Sequence, residues 1–451
     1  MRLATCIALA VMACCLTMSG RAAAADNLPY DPQLYGLYCW ASGYVKYSDD
    51  VQKVGIRWLR AGGWHNRDHA DRAALTAAKN GVYLQPSLGL ADLSHKKTLP
   101  PDEGVAKFRD LCREAVKRYG PGGTLWKANP DVKPVPIRYW QVWNEPNIEF
   151  LNPGESGLLR SELYAKLLKA ASEEIRKLDP GAHIIAFNTA GGCPYAGRGV
   201  PPDGMWQKTK YIGWRKFIRD VNAAVGIKCW DGVGTHPYTQ PRNPEGRVDK
   251  GIDMLRELAK EQKFEGRPIW FTEVGYPIEY PRNLNVRDER QQACFTVRLY
   301  ALSGAHGATQ VQVMYIEDII YGPDQTRRSF GFFTAPGKWR EQAKATRVMI
   351  RLVPDPRKDA KVLSEEPDGV WAYGFTAFDG LPVIMAWHTG EGEVERQFDV
   401  GGGATLVSML GKASSPTVRD RKVTVTLSEA PVYILPFGGA AARDVAPVLK
   451  D

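Results

Sequence analysis

The chain has 451 residues, with 44% hydrophobic and 24% charged side chains, 44 Gly and 31 Pro. This is the composition of a folded globular protein and excludes a disordered, collagenous or disulfide-scaffold chain; the length exceeds one typical domain of ~100–200 residues but suits a large α/β barrel with a small companion. The net charge of +9 is not gathered into a Lys/Arg run with interleaved aromatics, so it reads as a solvated surface suited to an acidic polymer and gives no nucleic-acid footprint.

The chain opens on the three parts of an export signal: Arg2, an apolar run over 3–18, then Arg21 and the small residues 22–25 with an A-x-A cleavage site. The run is too short to span a bilayer, so residues 1–25 are expected to be a cleaved signal peptide, the mature protein secreted or periplasmic, with no membrane span. Beyond it, five cysteines (Cys39, Cys112, Cys193, Cys229 and Cys294) include no C-x-x-C pair, which argues against zinc. Their odd count leaves at least one thiol unpaired.

From residue 34 to about 352, short β-branched and aromatic runs alternate with stretches of helical period. Strands are predicted over 34–40, 56–62, 82–88, 137–144, 184–188, 232–236, 269–273 and 310–315, with intervening helices such as 104–119, 161–178 (capped by Ser161), 248–262 and 289–303. Eight such alternations predict a (β/α)8 barrel over 26–355. After Pro354-Asp355-Pro356 the texture changes to short alternating strands at 370–378, 382–388, 423–427 and 432–435. These predict a small β-sandwich over 356–438, followed by a disordered tail over 439–451. In this register Cys193 lies past the top of strand 5 and Cys229 at the bottom entry to strand 6, so no disulfide is expected between them.

Chemistry on such a barrel sits at the C-terminal ends of the strands. Two acids stand there: Glu145 in Trp143-Asn144-Glu145-Pro146, closing strand 4, and Glu273 in Phe271-Thr272-Glu273-Val274-Gly275, closing strand 7. Each ends an apolar strand with no local Lys or Arg, a poor place for a charge unless it has a task. Strands 4 and 7 face each other across the mouth, so the two carboxyls can flank one bond.

Here the chain resembles clan A of the retaining glycoside hydrolases, most of all glycoside hydrolase family 39 and related bacterial exopolysaccharide glycosidases. Asn144-Glu145-Pro146 matches the clan's acid/base motif and Thr272-Glu273 its nucleophile motif. Arg60 ends strand 2, Thr235-His236-Pro237-Tyr238 end strand 6, and Phe330-Gly331 with Lys338-Trp339-Arg340 precede helix 8. The resemblance implies that Glu145 is the acid/base and Glu273 the nucleophile, with Arg60 and Tyr238 donating to Glu273. It also implies that Asn144 bonds the sugar 2-hydroxyl, that His236 lies at the substrate, and that no cofactor is needed. The substrate is expected to be a β-linked polysaccharide or oligosaccharide; a transglycosylase and a non-catalytic glycan-binding protein are the alternatives.

Among the 13 Trp, Trp40, Trp64 and Trp206 fall at or beyond strand ends, as does Tyr315, where many clan members place Trp. These four are the expected sugar platforms, because the apolar face of a pyranose stacks on an aromatic ring; Trp58, Trp140, Trp230, Trp270 and Trp371 are assigned to the core. His65 and His69, spaced i, i+4, lack a third ligand at recognisable spacing and read as a polar loop and helix start; no metal site is expected. Neither Gly191-Gly192 nor Gly401-Gly402-Gly403 is followed by the Lys-Ser/Thr of a phosphate loop, and there is no G-x-S-x-G elbow.

Overall fold

The computed structural model describes residues 33–94, 99–194, 199–281, 284–321, 326–367, 369–437, 443 and 445–449. The expected signal peptide lies outside the described residues. Eight parallel strands close into a barrel: β1 (Tyr35–Trp40), β2 (Trp58–Gly62), β3 (Tyr83–Leu88), β4 (Tyr139–Val142), β5 (His183–Ala190), β6 (Gly232–His236), β7 (Ile269–Val274) and β8 (Gln310–Met314), with β8 pairing to β1. Helices follow the strands: α1 (Ala41–Val54), α2 (Arg67–Asn80), α3 (Pro101–Tyr119), α4 (Arg160–Leu178), α5 (Trp214–Val225), α6 (Val248–Gln262), α7 (Glu289–Ala305) and α8 (Glu341–Leu352).

Local chemistry sets the helix boundaries. Asn66 caps α2 by accepting from the His69 amide at 3.1 Å, and Asp288 caps α7 by accepting from the Gln291 amide at 2.8 Å. The expected cap of α4 is corrected: Arg160 already belongs to the helix, and Glu162 accepts from the Leu159 amide at 2.7 Å, so Ser161 lies inside the first turn. α7 is buried on all sides, because it is held between the barrel and the C-terminal sheets.

Period-2 alternation fills the barrel in layers. Trp58, Tyr139, Ile185 and Trp270 make an aromatic floor, with Tyr83 packed on it. One step up, at residues two further along their strands, lie Arg60, Gln85, Gln141 and, from β8, Gln312, all fully buried. Apolar material thus seals the bottom, and a polar layer carries the mouth.

The C-terminal region forms two antiparallel sheets. Among the described residues the larger has six strands in the order β9 (Lys361–Glu365), β10 (Val370–Thr376), β11 (Pro382–His388), β15 (Val432–Phe437), β13 (Gly403–Ser408) and the pair Ala413–Ser414. The smaller joins β12 (Val394–Asp399), β14 (Lys422–Leu427) and Val418–Arg419. Alternation along β10 splits its side chains: Val370 and Ala372 enter the small core between the sheets, while Trp371, Tyr373 and Phe375 join the barrel's core. A buried ion pair pins this face, with Arg298 donating to Glu245 at 2.5 and 2.6 Å and Trp387 Nε1 to Glu245 Oε1 at 2.9 Å. The tail differs from expectation. Arg443 is buried against Asp379 and the Pro382 carbonyl, and Ala446–Leu449 form a turn of helix, because a guanidinium with such partners anchors the chain that carries it. The five described cysteines are unpaired.

His183 shares the barrel floor with Tyr139 and Trp270, and burial lowers it from its ordinary value to about 4. The unfolded chain therefore takes up a proton between about pH 6.5 and 4 that the folded chain refuses. Stability from this source is full above that window and lost as pH falls through it, by up to about 3 kcal/mol. We expect His183→Gln, which cannot ionise, to lose less of its urea midpoint between pH 7 and pH 4.5 than the parent; equal losses would contradict this.

Candidate active site

The site is built on the polar layer. Arg60, fully buried in the middle of β2, donates from Nε to Gln141 Oε1 at 2.8 Å, from Nη1 to Glu273 Oε2 at 2.7 Å and from Nη2 to Asn144 Oδ1. Gln312 Oε1 accepts from its backbone amide at 3.1 Å, and its guanidinium carbon lies 4.0 Å from the centre of the Tyr38 ring. A permanently charged group is tolerated here because every direction offers an acceptor or an aromatic face. Tyr238 completes the cradle of Glu273. Its hydroxyl lies 2.8 Å from both Glu273 Oε1 and Met314 Sδ, and the one proton goes to the carboxylate. Burial pushes Glu273 up, but the fields of His236 and Arg60 and the Tyr238 hydrogen bond outweigh it and hold the carboxyl below its ordinary value. Burial and the Glu273 charge raise Tyr238, which stays protonated.

Glu145 sits in a different environment. Its Oε1 is 2.9 Å from His236 Nδ1, and His236 Nε2 is 3.1 Å from Thr272 Oγ1. Thr272 in turn lies 3.0 Å from Asn188 Oδ1, and Asn188 Nδ2 donates to the carbonyls of Val142 and Ile185. These contacts fix the direction of the chain. Asn188 Oδ1 can only accept, so Thr272 donates to it and accepts from His236 Nε2–H. His236 Nδ1 then meets Glu145 either as a lone pair facing a protonated carboxyl or as the N–H of an imidazolium, and in both cases a proton lies between them.

The backbone aims both acids. Opposite β8, β7 carries one extra residue between Phe271 and Val274, and opposite β6, β5 carries one between Phe187 and Thr189. Such bulges re-aim side chains. The first brings Thr272 and Glu273 both to the site; the second turns Asn188 inward, while its carbonyl accepts from the Glu145 amide at 2.9 Å. Trp143 (φ 67°), Glu145 (φ 44°), Phe187 (φ 70°) and Asn188 (φ 46°) occupy the left-handed region, at about 1–3 kcal/mol each. Gly234 is required beneath them, since a Cβ there would fall on Asn188 Oδ1.

These groups open on a cavity of about 920 Å³. Arg60, Trp64, Asn144, Glu145, His236, Tyr238 and Glu273 all line it, as does Trp40, which rests on the backbone of Gly62 and Gly63. Two expected platforms are corrected. Tyr315 is buried behind the wall, edge-on to Tyr38 at 5.0 Å, and Met314 takes the position at the mouth. Trp206 is not among the lining residues; it sits on the outlying hairpin Met205–Trp206/Tyr211–Ile212, beside Gly199. Sequence reasoning missed Gln141, Asn188, Gln312 and Met314 as members of the site; for the first three the available signal was an amide ending or interrupting an otherwise apolar strand, and for Met314 there was none. Glu145, His236 and Glu273 offer ligand atoms within 4.8 Å of one another, which in distance alone would suit a cation. Both Glu273 oxygens are already engaged, one by a fixed guanidinium that a metal would have to face, so the donor set is a poor fit.

No family model and no curated protein matches the sequence. In fold the chain is similar to a family 39 glycoside hydrolase from the gut symbiont Bacteroides cellulosilyticus WH2, with 17% identity, 91% of this chain and 83% of that chain covered, and a TM-score of 0.65. It is also similar to a monomeric beta-xylosidase from Caulobacter crescentus CB15 (15% identity, 90% and 97% covered, TM-score 0.56). A third is AbfB, a family 51 alpha-L-arabinofuranosidase from Bifidobacterium longum (12% identity, 91% and 97% covered, TM-score 0.61). The likeness is one of fold, a (β/α)8 barrel with C-terminal antiparallel sheets, and it spans about nine-tenths of the chain.

The directed chain through Thr272 can be tested without a substrate. Thr272→Val keeps the volume but strands His236 Nε2–H and Asn188 Oδ1, at a cost of about 1–3 kcal/mol of unfolding free energy. The imidazole ¹⁵N spectrum should report Nε2–H for His236 in the parent and a changed protonation pattern in the variant. An unchanged His236 signal would refute donation from His236 through Thr272 to Asn188.

Proposed function

We propose that the protein is an exported retaining glycoside hydrolase that cleaves a β-linked polysaccharide or oligosaccharide by double displacement. The observation that carries the reading is the pair of carboxyls, with an oxygen of each within 4.8 Å of the other, held in opposite proton environments at one cavity. Retaining enzymes hold their carboxyls about 5–5.5 Å apart, and inverting ones about 6.5–9.5 Å, to leave room for a water. Export rests on the signal-like order of residues 2–25: a basic residue, an apolar run and a small-residue cleavage site.

Glu273, ionised between Arg60 and Tyr238, attacks the anomeric carbon as the glycosidic bond breaks, and Glu145 passes its proton to the departing oxygen. His236 bears on this step. With Nε2 committed to Thr272 and the shared proton on Nδ1, His236 is an imidazolium; the proton Glu145 donates is then the one on its other oxygen, Oε2, and the imidazolium offsets the carboxylate Glu145 becomes. Once Glu273 is esterified its charge is gone, and Glu145 takes a proton from water as the water oxygen bonds to the anomeric carbon and the carbon–oxygen bond to Glu273 breaks, which returns Glu273 as a carboxylate. Asn144 presents its Nδ2 to the sugar, because Oδ1 is taken by Arg60; a donor there suits the oxygen of the 2-hydroxyl.

Azide separates the two roles. With an activated glycoside, Glu273→Ala should yield an inverted glycosyl azide by a single displacement. Glu145→Ala should yield the retained one, after losing about 10²–10⁴-fold on substrates with poor leaving groups. The opposite pairing would reverse the assignments, and net inversion by the intact enzyme would discard double displacement.

The pH profile gives a second check. Glu273 must be ionised and is held below its ordinary value, so activity should persist below about pH 4.3, the usual value for Glu, and fall as pH drops through the lowered one. Tyr238→Phe removes one of the groups holding it down and should move the acid limb of kcat/KM upward; an unmoved limb would exclude Glu273 as its source.

A further inference from the structure

The cavity wall is chemically two-sided. The rim after β1 to β4 is aromatic and apolar, with Trp40, Trp64, Leu90, Trp143, Ile148 and Phe150. The rim after β6 to β8, beside Tyr280, Leu284, Met314 and Phe330, brings three arginines to the same cavity: Arg242 and Arg247 from the segment between β6 and α6, and Arg328 from the strand Thr326–Arg328 that follows β8. Among the described lining residues the only acids are Glu145 and Glu273, and both are engaged at the floor by His236, Arg60 and Tyr238.

Uncharged groups help to position Arg247 and Arg328. Arg247 Nη1 donates to Asn243 Oδ1 at 2.7 Å and to the Glu245 carbonyl at 3.2 Å, while its Nε is buried without a partner among the described residues. The Arg328 guanidinium lies 4.8 Å from the centre of the Tyr280 ring, an arrangement that steers a planar fork. Three like charges around one opening repel each other, and a cleft lined in this way concentrates anions.

We infer that the cleft selects an anionic saccharide, one whose ring bears a carboxylate or sulfate bound by the Arg242, Arg247 and Arg328 rim while the neutral part of the chain lies on the aromatic rim. The inference rests on the glycoside-binding reading of the site and names its substrate class. Arg forks match both anions bidentately. Balanced at the floor by Arg60, Glu273 does not oppose an anion on that side.

The test is binding to the intact mature protein carrying Glu273→Gln, measured by calorimetry so that it does not require turnover. The panel pairs uronic-acid oligosaccharides with their carboxyl-reduced counterparts, and sulfated oligosaccharides with desulfated ones. At least one acidic member should bind ten-fold or more tighter than its neutral twin, with the ratio falling towards one in 0.5 M NaCl. The pair showing the ratio tells uronate from sulfate. Arg247→Met and Arg328→Met should each lower the ratio several-fold, and Arg247→Lys should lower it less. Neutral members binding as well as acidic ones, or no acidic member binding at all, overturns the inference. Cleavage of neutral glycans alone by the parent enzyme would do so while leaving the hydrolase reading intact; tight acidic binding without cleavage of any member would support the inference and defeat that reading.

Discussion

A guanidinium with no exposed surface cannot shed its charge, so the barrel around Arg60 must satisfy it in place. That requirement organises the upper half of the molecule. Gln141, Asn144 and Glu273 receive its three nitrogens, Gln312 holds its amide, and Tyr38 covers its face. Gln85 in turn donates to Gln141, and Gln312 to Gln85, so the polar layer is a linked set fixed by one cation. Seen from Glu273, the same cation makes an ionised carboxylate bearable at the edge of a hydrophobic barrel.

The second acid is governed by geometry more than by charge. Glu145 leaves β4 through a left-handed turn, and its amide is held by the Asn188 carbonyl. Asn188 is available only because β5 bulges there and Gly234 leaves it room. Its side chain then directs Thr272 and, through Thr272, His236. Backbone strain in two strands is therefore converted into the orientation of one imidazole. A regular β5 would turn Asn188 away, and the tautomer of His236 would no longer be fixed.

This division explains what could be read from the sequence. Strand–helix alternation is a local property, and the eight strands lie within two residues of their predicted starts, from Trp58 (predicted from 56) to His183 (predicted from 184). Glu145 and Glu273 were legible because an acid closing an apolar run stands out against its neighbours. Strands 361–365, 394–399 and 403–408 were missed: β12 is largely exposed and β9 has only two intermediate positions at its end, so neither carries a clean apolar stripe. The bulges were invisible because a one-residue excess exists only relative to a paired strand. Tyr315 failed as a platform for a related reason, since being at a strand end fixes height on the barrel but not the direction in which the ring points, and Trp206 failed because the long segment after β5 carries it onto a separate hairpin.

The rim lies further still from what one sequence window can show. Arg242 and Arg247 are separated from Arg328 by more than eighty residues, and the intervening chain includes β7, α7 and β8. Parallel pairing of β6, β7 and β8 as neighbours in the sheet brings their loops to one rim. The aromatic rim is assembled from β1 to β4 in the same way, so the cleft's two chemistries follow the two halves of the barrel. Chemistry shared by many substrates can be fixed on the floor, by side chains two residues apart on rigid strands. Discrimination among substrates falls to the rim, whose residues can change without disturbing the Arg60 network beneath them.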